Sequence, residues 1–176
     1  ATLRALKYHG GVDLKDLAAP DPAAVEKGLL TLERPLENTR HRHGLPCVVA
    51  LNHFTSDTET ELAELRRHME RQGVPVVMAR HWAEGSAGAE ELAHAVVRLA
   101  ESGTAQMRFV YEDADRLWNK MKAIATQIYG ASDISADSAV RARIARLQQE
   151  GYGHYPVCVA KTQYSFSTDP KRRGAH

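Results

Sequence analysis

The chain has 176 residues, 43% of them hydrophobic and 26% charged, with a formal net charge of +1. That length suits one globular domain, or one and a small appendage. The near-neutral charge offers no footprint for a nucleic-acid or polyanion surface, and no apolar run approaches the length of a membrane span.

Residues 1–8 read as an extended, apolar and basic segment that ends at Tyr8-His9-Gly10-Gly11, a glycine pair suited to a tight turn. The chain opens inside this element, without a methionine or a leader. That opening suggests a piece of a longer protein. A helix is expected over residues 20–43, with Val25, Leu29 and Leu32 on one face and Pro22 in its first turn. Pro35 should kink or break it. Its tail, Arg40-His41-Arg42-His43-Gly44, has the cations and the glycine of a helix C-terminus.

Residues 46–51 form a short apolar run that stops at Asn52-His53-Phe54. Such runs read as strands buried in a parallel sheet. Ser56-x-x-Glu59 has the spacing of a capping box, and a helix over residues 58–72 carries Leu62, Leu65 and Met69 until Gly73 stops it. A second strand, residues 74–79, ends at Arg80-His81-Trp82. The glycine-bearing loop 84–88 leads into a helix with Leu92, Val96 and Leu99. Residues 106–111 are weakly extended. An amphipathic helix over 112–129 repeats Ala114, Leu117, Met121, Ile124 and Ile128, with Trp118 on the same face as core. A helix near 137–149 carries Val140, Ile144 and Leu147, and residues 156–160 form a last strand before Lys161-Thr162-Gln163-Tyr164. Cys47 and Cys158 each lie in a strand-like run, which argues against a disulfide framework and for a reducing, cytoplasmic setting.

Alternating strands and helices imply an α/β fold with a mostly parallel sheet and helices on both faces. We divide it into residues 1–101, an α/β segment with a strand-end ligand rim, and residues 102–176, a helical segment with the final strand and loop, packed on the same unit. Open α/β sheets bind ligands at the carboxyl ends of their strands. Four clusters fall at such ends: Tyr8 to Gly11, Asn52 to Phe54, Arg80 to Trp82, and Lys161 to Tyr164. Phe54 and Trp82 follow strands joined by a single helix. Their rings can flank a common slot for a flat heteroaromatic ligand, worth roughly 1 kcal/mol per ring beyond area burial. The alternative is that both rings cover core edges. Asn52 can read an amide or base edge. Asp57 and Thr58 read as helix caps. Lys161 and Thr162 can hold a phosphate or carboxylate, or stand in solvent. The nine histidines form no metal pattern. There is no Gly-x-Ser-x-Gly elbow and no Gly-x-x-x-x-Gly-Lys-Ser/Thr loop.

Ala1-Thr2-Leu3-Arg4-Ala5-Leu6-Lys7-Tyr8-His9-Gly10-Gly11 resembles a signature of formate–tetrahydrofolate ligases, with Leu3 in place of valine or isoleucine. The likeness continues through residues 52–59, Ile128-Tyr129-Gly130-Ala131 and residues 157–165, and so covers nearly the whole chain. The resemblance implies an enzyme of one-carbon metabolism in which ATP, taken with magnesium, phosphorylates formate to formyl phosphate and an amine of tetrahydrofolate attacks it. It implies that Phe54 and Trp82 sandwich the folate ring, with Thr55 where relatives often have proline. It places the strand ending near Met78 beside the nucleotide, and Asn52, by its own side-chain chemistry, is a further nucleotide-binding candidate. His9, Gly10, Lys161 and Thr162 are weaker strand-end candidates. It further implies a P-loop NTPase-like or Rossmann-like portion of a larger multi-domain, homo-oligomeric, cytoplasmic enzyme. This portion would lack the P-loop region and be inactive alone, and would bind neither a resident metal, nucleic acid nor membrane. The competing reading is a non-catalytic α/β nucleotide-binding or protein-interaction module.

Overall fold

The two central apolar runs do become neighbouring strands. In a computed structural model that describes residues 1–160, β1 (Val49–Asn52) and β2 (Val76–Ala79) pair in parallel, with Val49 opposite Val76 and Asn52 opposite Ala79. Helix α3 (Glu59–Arg71) joins them, completing one βαβ unit. Alternation across the strands sorts their side chains to two faces. Val49, Leu51, Val76 and Met78 share one face and pack with Leu3 and Leu6, Val25, Leu29 and Leu36, and Leu62, Leu65 and Met69. Val77 and Ala79 are buried on the other face, where α5 (Glu90–Glu101) packs against β2. The sheet thus has helices on both faces, but it is a two-stranded pair among the described residues.

Residues 1–8 are not extended. Leu3–His9 is a helix, α1, because Thr2 caps it, its hydroxyl accepting from Ala5 N at 3.1 Å. Leu3, Leu6 and Lys7 then fall on one buried face. Only Ala1 keeps strand character: its amine donates to Ala50 O at 2.6 Å and its carbonyl accepts from Asn52 N at 2.9 Å. Ala1 thereby lies along the edge of β1 opposite β2. Helix α2 (Pro22–Glu37) crosses α1 closely because both carry glycine at the contact. A Cβ at Gly10 would stand 1.9 Å from Ala24 O, and one at Gly28 would stand 1.9 Å from Leu6 O.

Pro35 does not break α2. The helix runs through it to Glu37 and loosens only afterwards into a π-turn over Asn38–Arg42. The lost N–H of proline costs about 3 kcal/mol in an isolated helix. Here the buried anchors Leu29 and Leu36 flank it, and Arg34 Nε and Asn38 Nδ2 both donate to Ile128 O. The expected capping box also shifts. Thr58, not Ser56, caps α3, and its partner is Glu61 rather than Glu59.

The second half departs further. Val96 is exposed on α5, and the buried residue there is Ala95. Helix α6 (Leu117–Gln127) begins five residues later than the periodicity suggests. Glu112 and Asp115 close a turn instead, with Asp115 N donating to Glu112 O and Glu112 N to Asp115 Oδ2, both at 3.0 Å. Residues 106–108 pair with the loop after the π-turn, through Gln106 N to Gly44 O and Arg108 N to His43 O. Helix α7 (Ser138–Gln149) is capped by Asp137. Residues 156–160 are not a strand: Val157 N donates to the Tyr111 hydroxyl at 3.0 Å and its carbonyl accepts from it at 3.5 Å. Lys161, Thr162, Gln163 and Tyr164 lie outside the described residues.

One buried carboxylate joins the first three helices. Glu61 accepts from Lys7 Nζ and Asp21 N, each at 2.9 Å, from the Thr58 hydroxyl at 2.7 Å and from Thr58 N at 3.1 Å. Lys7 Nζ also donates to Ala19 O at 3.0 Å. Both charged side chains are fully buried. Burial pushes the Glu61 carboxyl up, but the hydrogen bonds from Asp21, Thr58 and Lys7 outweigh it and hold the group below its ordinary 4.5. A carboxylate with a lowered folded-state pKa stabilises the fold above its unfolded value and loses that contribution as pH falls through the folded value. We therefore expect Glu61→Gln to lower the unfolding free energy at pH 7 by about 3–5 kcal/mol, the cost of leaving one buried partner alone. Its stability should also fall less steeply than the parent's below pH 4.5. Urea unfolding of both proteins across that range checks this.

Candidate functional site

The carboxyl ends of β1 and β2 lie side by side, so the residues that follow them share one rim. After β1 the chain turns at once. Phe54 N donates to Asp57 Oδ2 at 2.9 Å, and Asp57 N donates back to Phe54 O at 2.9 Å. This reciprocal pair fixes the Phe54 backbone, so Asp57 serves the turn while Thr58 caps α3. Just before the turn, His53 N donates to Ala79 O at 3.1 Å, which continues the parallel ladder to the rim. The Phe54 ring is 38% exposed.

After β2 the chain forms a tight loop. Arg80 N donates to Gly88 O at 2.9 Å, so both ends of the loop meet. Between them, α4 (His81–Glu84) and a 3₁₀ turn over Gly85–Ala89 lead into α5. Trp82 stands on α4 and is 92% exposed. An indole that open, on a loop pinned at its base, packs on no core among the described residues. Trp118, by contrast, is half-buried under the Arg141 guanidinium, which lies 4.3 Å from its ring.

The other sequence candidates separate. Asn52 is exposed at the last position of β1 and stays on the rim. Met78 packs its side chain on the α1–α3 core, so only its backbone faces the strand end. His9 and Gly10 do not follow a strand. They sit at the far end of α1, about 9 Å along the helix from Arg4. His9 meets the Tyr8 ring edge-on at 5.5 Å, and Gly10 is the contact with α2.

One rim residue stands in the sequence only as part of the Ala1–Gly11 signature, with no place at the rim assigned to it. Arg4 lies in the first turn of α1, with its guanidinium 4.5 Å from the centre of the Phe54 ring and Nη2 donating to Ser56 Oγ at 3.5 Å. It could be found only once residues 3–9 were known to be helical. Arg80, His81 and His53 follow the same two strand ends, as do the acidic Asp57 and Glu84. An aromatic ring backed by a guanidinium, with an open indole after the neighbouring strand, suits a flat, conjugated ligand.

Neither cysteine belongs to it. Burial pushes the Cys47 thiol up against a smaller pull from Arg40, and Cys47 packs on the core. Among the described residues, no three His, Cys, Asp or Glu side chains are grouped so as to hold a metal ion. Nor is any helix there long and apolar enough to cross a membrane.

The loop carrying Trp82 depends on the absence of a side chain at its base. A Cβ at Gly88 would stand 2.5 Å from the Arg80 carbonyl carbon and 2.6 Å from its oxygen, all backbone. We expect Gly88→Ala to open the loop at a cost of about 1–3 kcal/mol, the usual penalty for overpacking. Ala87→Ser should change little. Equilibrium unfolding, with limited proteolysis of residues 80–88, reads both effects.

Comparison with known proteins points to one family. A family model described as formate–tetrahydrofolate ligase matches residues 1–176. The formate–tetrahydrofolate ligase of Methylibium petroleiphilum is 54% identical over 178 residues, covering 99% of this chain and 32% of its own length. Those of Methylobacillus flagellatus and Methylococcus capsulatus are 52% and 53% identical, over 99% of this chain and 31% of theirs. The chain therefore spans about a third of the length of the curated relatives it matches.

Proposed function

We propose, for a chain that belongs to the formate–tetrahydrofolate ligase family, that it forms the folate-side wall of an enzyme joining formate to tetrahydrofolate at the expense of ATP. The observation that carries the proposal is the open indole of Trp82 beside the strand end that bears Phe54. Two rings on adjacent parallel strands, each following its strand within three residues, flank a slot of the kind a pterin fills. In that reaction ATP converts formate to formyl phosphate, and an amine nitrogen of the bound folate attacks the formyl carbon, releasing phosphate. The task of these residues is to hold the pterin so that its nitrogen faces the acyl donor. Holding reactants in line is itself a large part of such catalysis.

Phe54 and Trp82 are the binding residues in this reading. Asn52 and the backbone at Met78 form the neighbouring rim on the nucleotide side. Lys161 and Thr162, and more distantly His9 and Gly10, are lesser candidates. No Gly-x-x-x-x-Gly-Lys-Ser/Thr loop occurs in the 176 residues, so we assign the phosphates of ATP, and any magnesium held with them, to sequence outside this chain. Phosphoryl transfer works by positioning and charge stabilisation, so we expect these 176 residues alone to form no ADP in response to formate and tetrahydrofolate.

We place β1 and β2 within a larger, mostly parallel sheet of P-loop NTPase-like or Rossmann-like character. Ala1, hydrogen-bonded along the outer edge of β1, supports that reading. We further propose a homo-oligomeric, cytoplasmic enzyme whose partners are small molecules. Residues 1–101 would carry the rim and residues 102–176 would buttress it.

Tryptophan fluorescence tests the slot. Tetrahydrofolate should quench emission saturably in the full-length protein, and Trp82→Ala should abolish that quench while Trp118→Ala preserves it. An unchanged quench in Trp82→Ala, or none in the parent, would refute the assignment.

A further inference from the structure

We infer that Arg4 is a positioning residue of the ring slot: it backs one face of Phe54 and leaves the opposite face, on the β2 side, as the one that takes the pterin. This rests on the folate-slot reading above and adds an element to it. The geometry begins with the two edges of β1. One edge pairs with β2, and Ala1 lies along the other. Arg4 is three residues beyond Ala1, in the first turn of α1, so it reaches Phe54 from the side away from β2. Trp82 follows β2, the strand paired on the other edge of β1. The order across the rim is therefore guanidinium, phenyl ring, ligand, indole.

Arg4 is exposed but not loose. Its neighbour Leu3, and Leu6 and Lys7 one turn on, are buried, so the helix that carries it is fixed. Phe54 is fixed from the other direction by the Asp57 turn. The guanidinium plane thus meets a ring whose backbone cannot retreat. A cation over one face draws ring electron density toward itself. The uncovered face is then less negative and stacks better on an electron-rich heterocycle. A reduced pterin, with its amino-substituted pyrimidinone, is such a ligand.

Steady-state kinetics on the full-length protein test this. An exposed cation–π contact corresponds to roughly a two- to five-fold effect on an equilibrium. Arg4→Met should raise KM for tetrahydrofolate by about that factor, with kcat and the KM for ATP unchanged. Arg4→Lys, which keeps the charge but not the flat stacking surface, should recover part of the loss. In a Phe54→Ala background Arg4→Met should add nothing, because its effect runs through the ring. An unchanged KM in Arg4→Met would overturn the inference, as would an effect undiminished when Phe54 is absent. If Phe54→Ala itself leaves KM for tetrahydrofolate unchanged, the slot reading fails. If Phe54→Ala raises it and Arg4→Met does not, only the role of Arg4 falls.

Discussion

The Glu61 carboxylate is the constraint on which this part of the fold depends. It sits in the third position of α3, receives the ammonium of Lys7 from α1, and accepts the backbone N–H of Asp21, the cap of α2. Three helices therefore have their positions set by one side chain. A buried ion pair gains little over a well-packed apolar replacement, but a broken one leaves an uncompensated charge. The arrangement accordingly enforces geometry more than it adds stability. That geometry reaches the rim directly. Lys7 fixes the helix that carries Arg4, and Thr58, which shares the Glu61 carboxylate, ends the loop that carries Phe54.

The rim itself combines two kinds of anchoring. Phe54 is held by a two-way hydrogen bond within a four-residue turn, and Trp82 by a loop closed at its base through Arg80 and Gly88. Trp82 is not held by burial, being almost wholly open, whereas Phe54 is partly covered by Arg4. A fixed backbone beneath each ring is suited to stacking. In the proposed slot, desolvation of the indole would be available to binding. The close approach of α1 and α2 at Gly10 and Gly28 serves the same end, because it seats α1 tightly enough for its first turn to touch Phe54.

Much of this was legible in the sequence, and the failures have physical causes. The runs at 46–51 and 74–79 announced parallel strands because buried strands need no alternation, and Gly73 announced the end of α3. The likeness of residues 1–11 and 52–59 to a ligase family carried through the whole chain. Residues 3–9 were misread because Leu3, Leu6 and the buried Lys7 look like a basic strand until Thr2 is seen as a cap and Glu61 as the partner of Lys7. The place of Arg4 beside Phe54 was hidden for the same reason. Pro35 was given too much weight, since tertiary bonds to Ile128 hold the turns around it. Residues 156–160 have strand composition, but Tyr111 satisfies Val157 where a neighbouring strand was expected. Composition reports what a segment can do, and the available partners decide what it does.

A crystal structure of the full-length protein with tetrahydrofolate bound tests the central claim most directly. The account predicts the pterin ring lying between Phe54 and Trp82, on the Phe54 face away from Arg4, with ring centroids about 4.5–7 Å apart. A pterin bound elsewhere, with the Phe54–Trp82 slot empty, would contradict it.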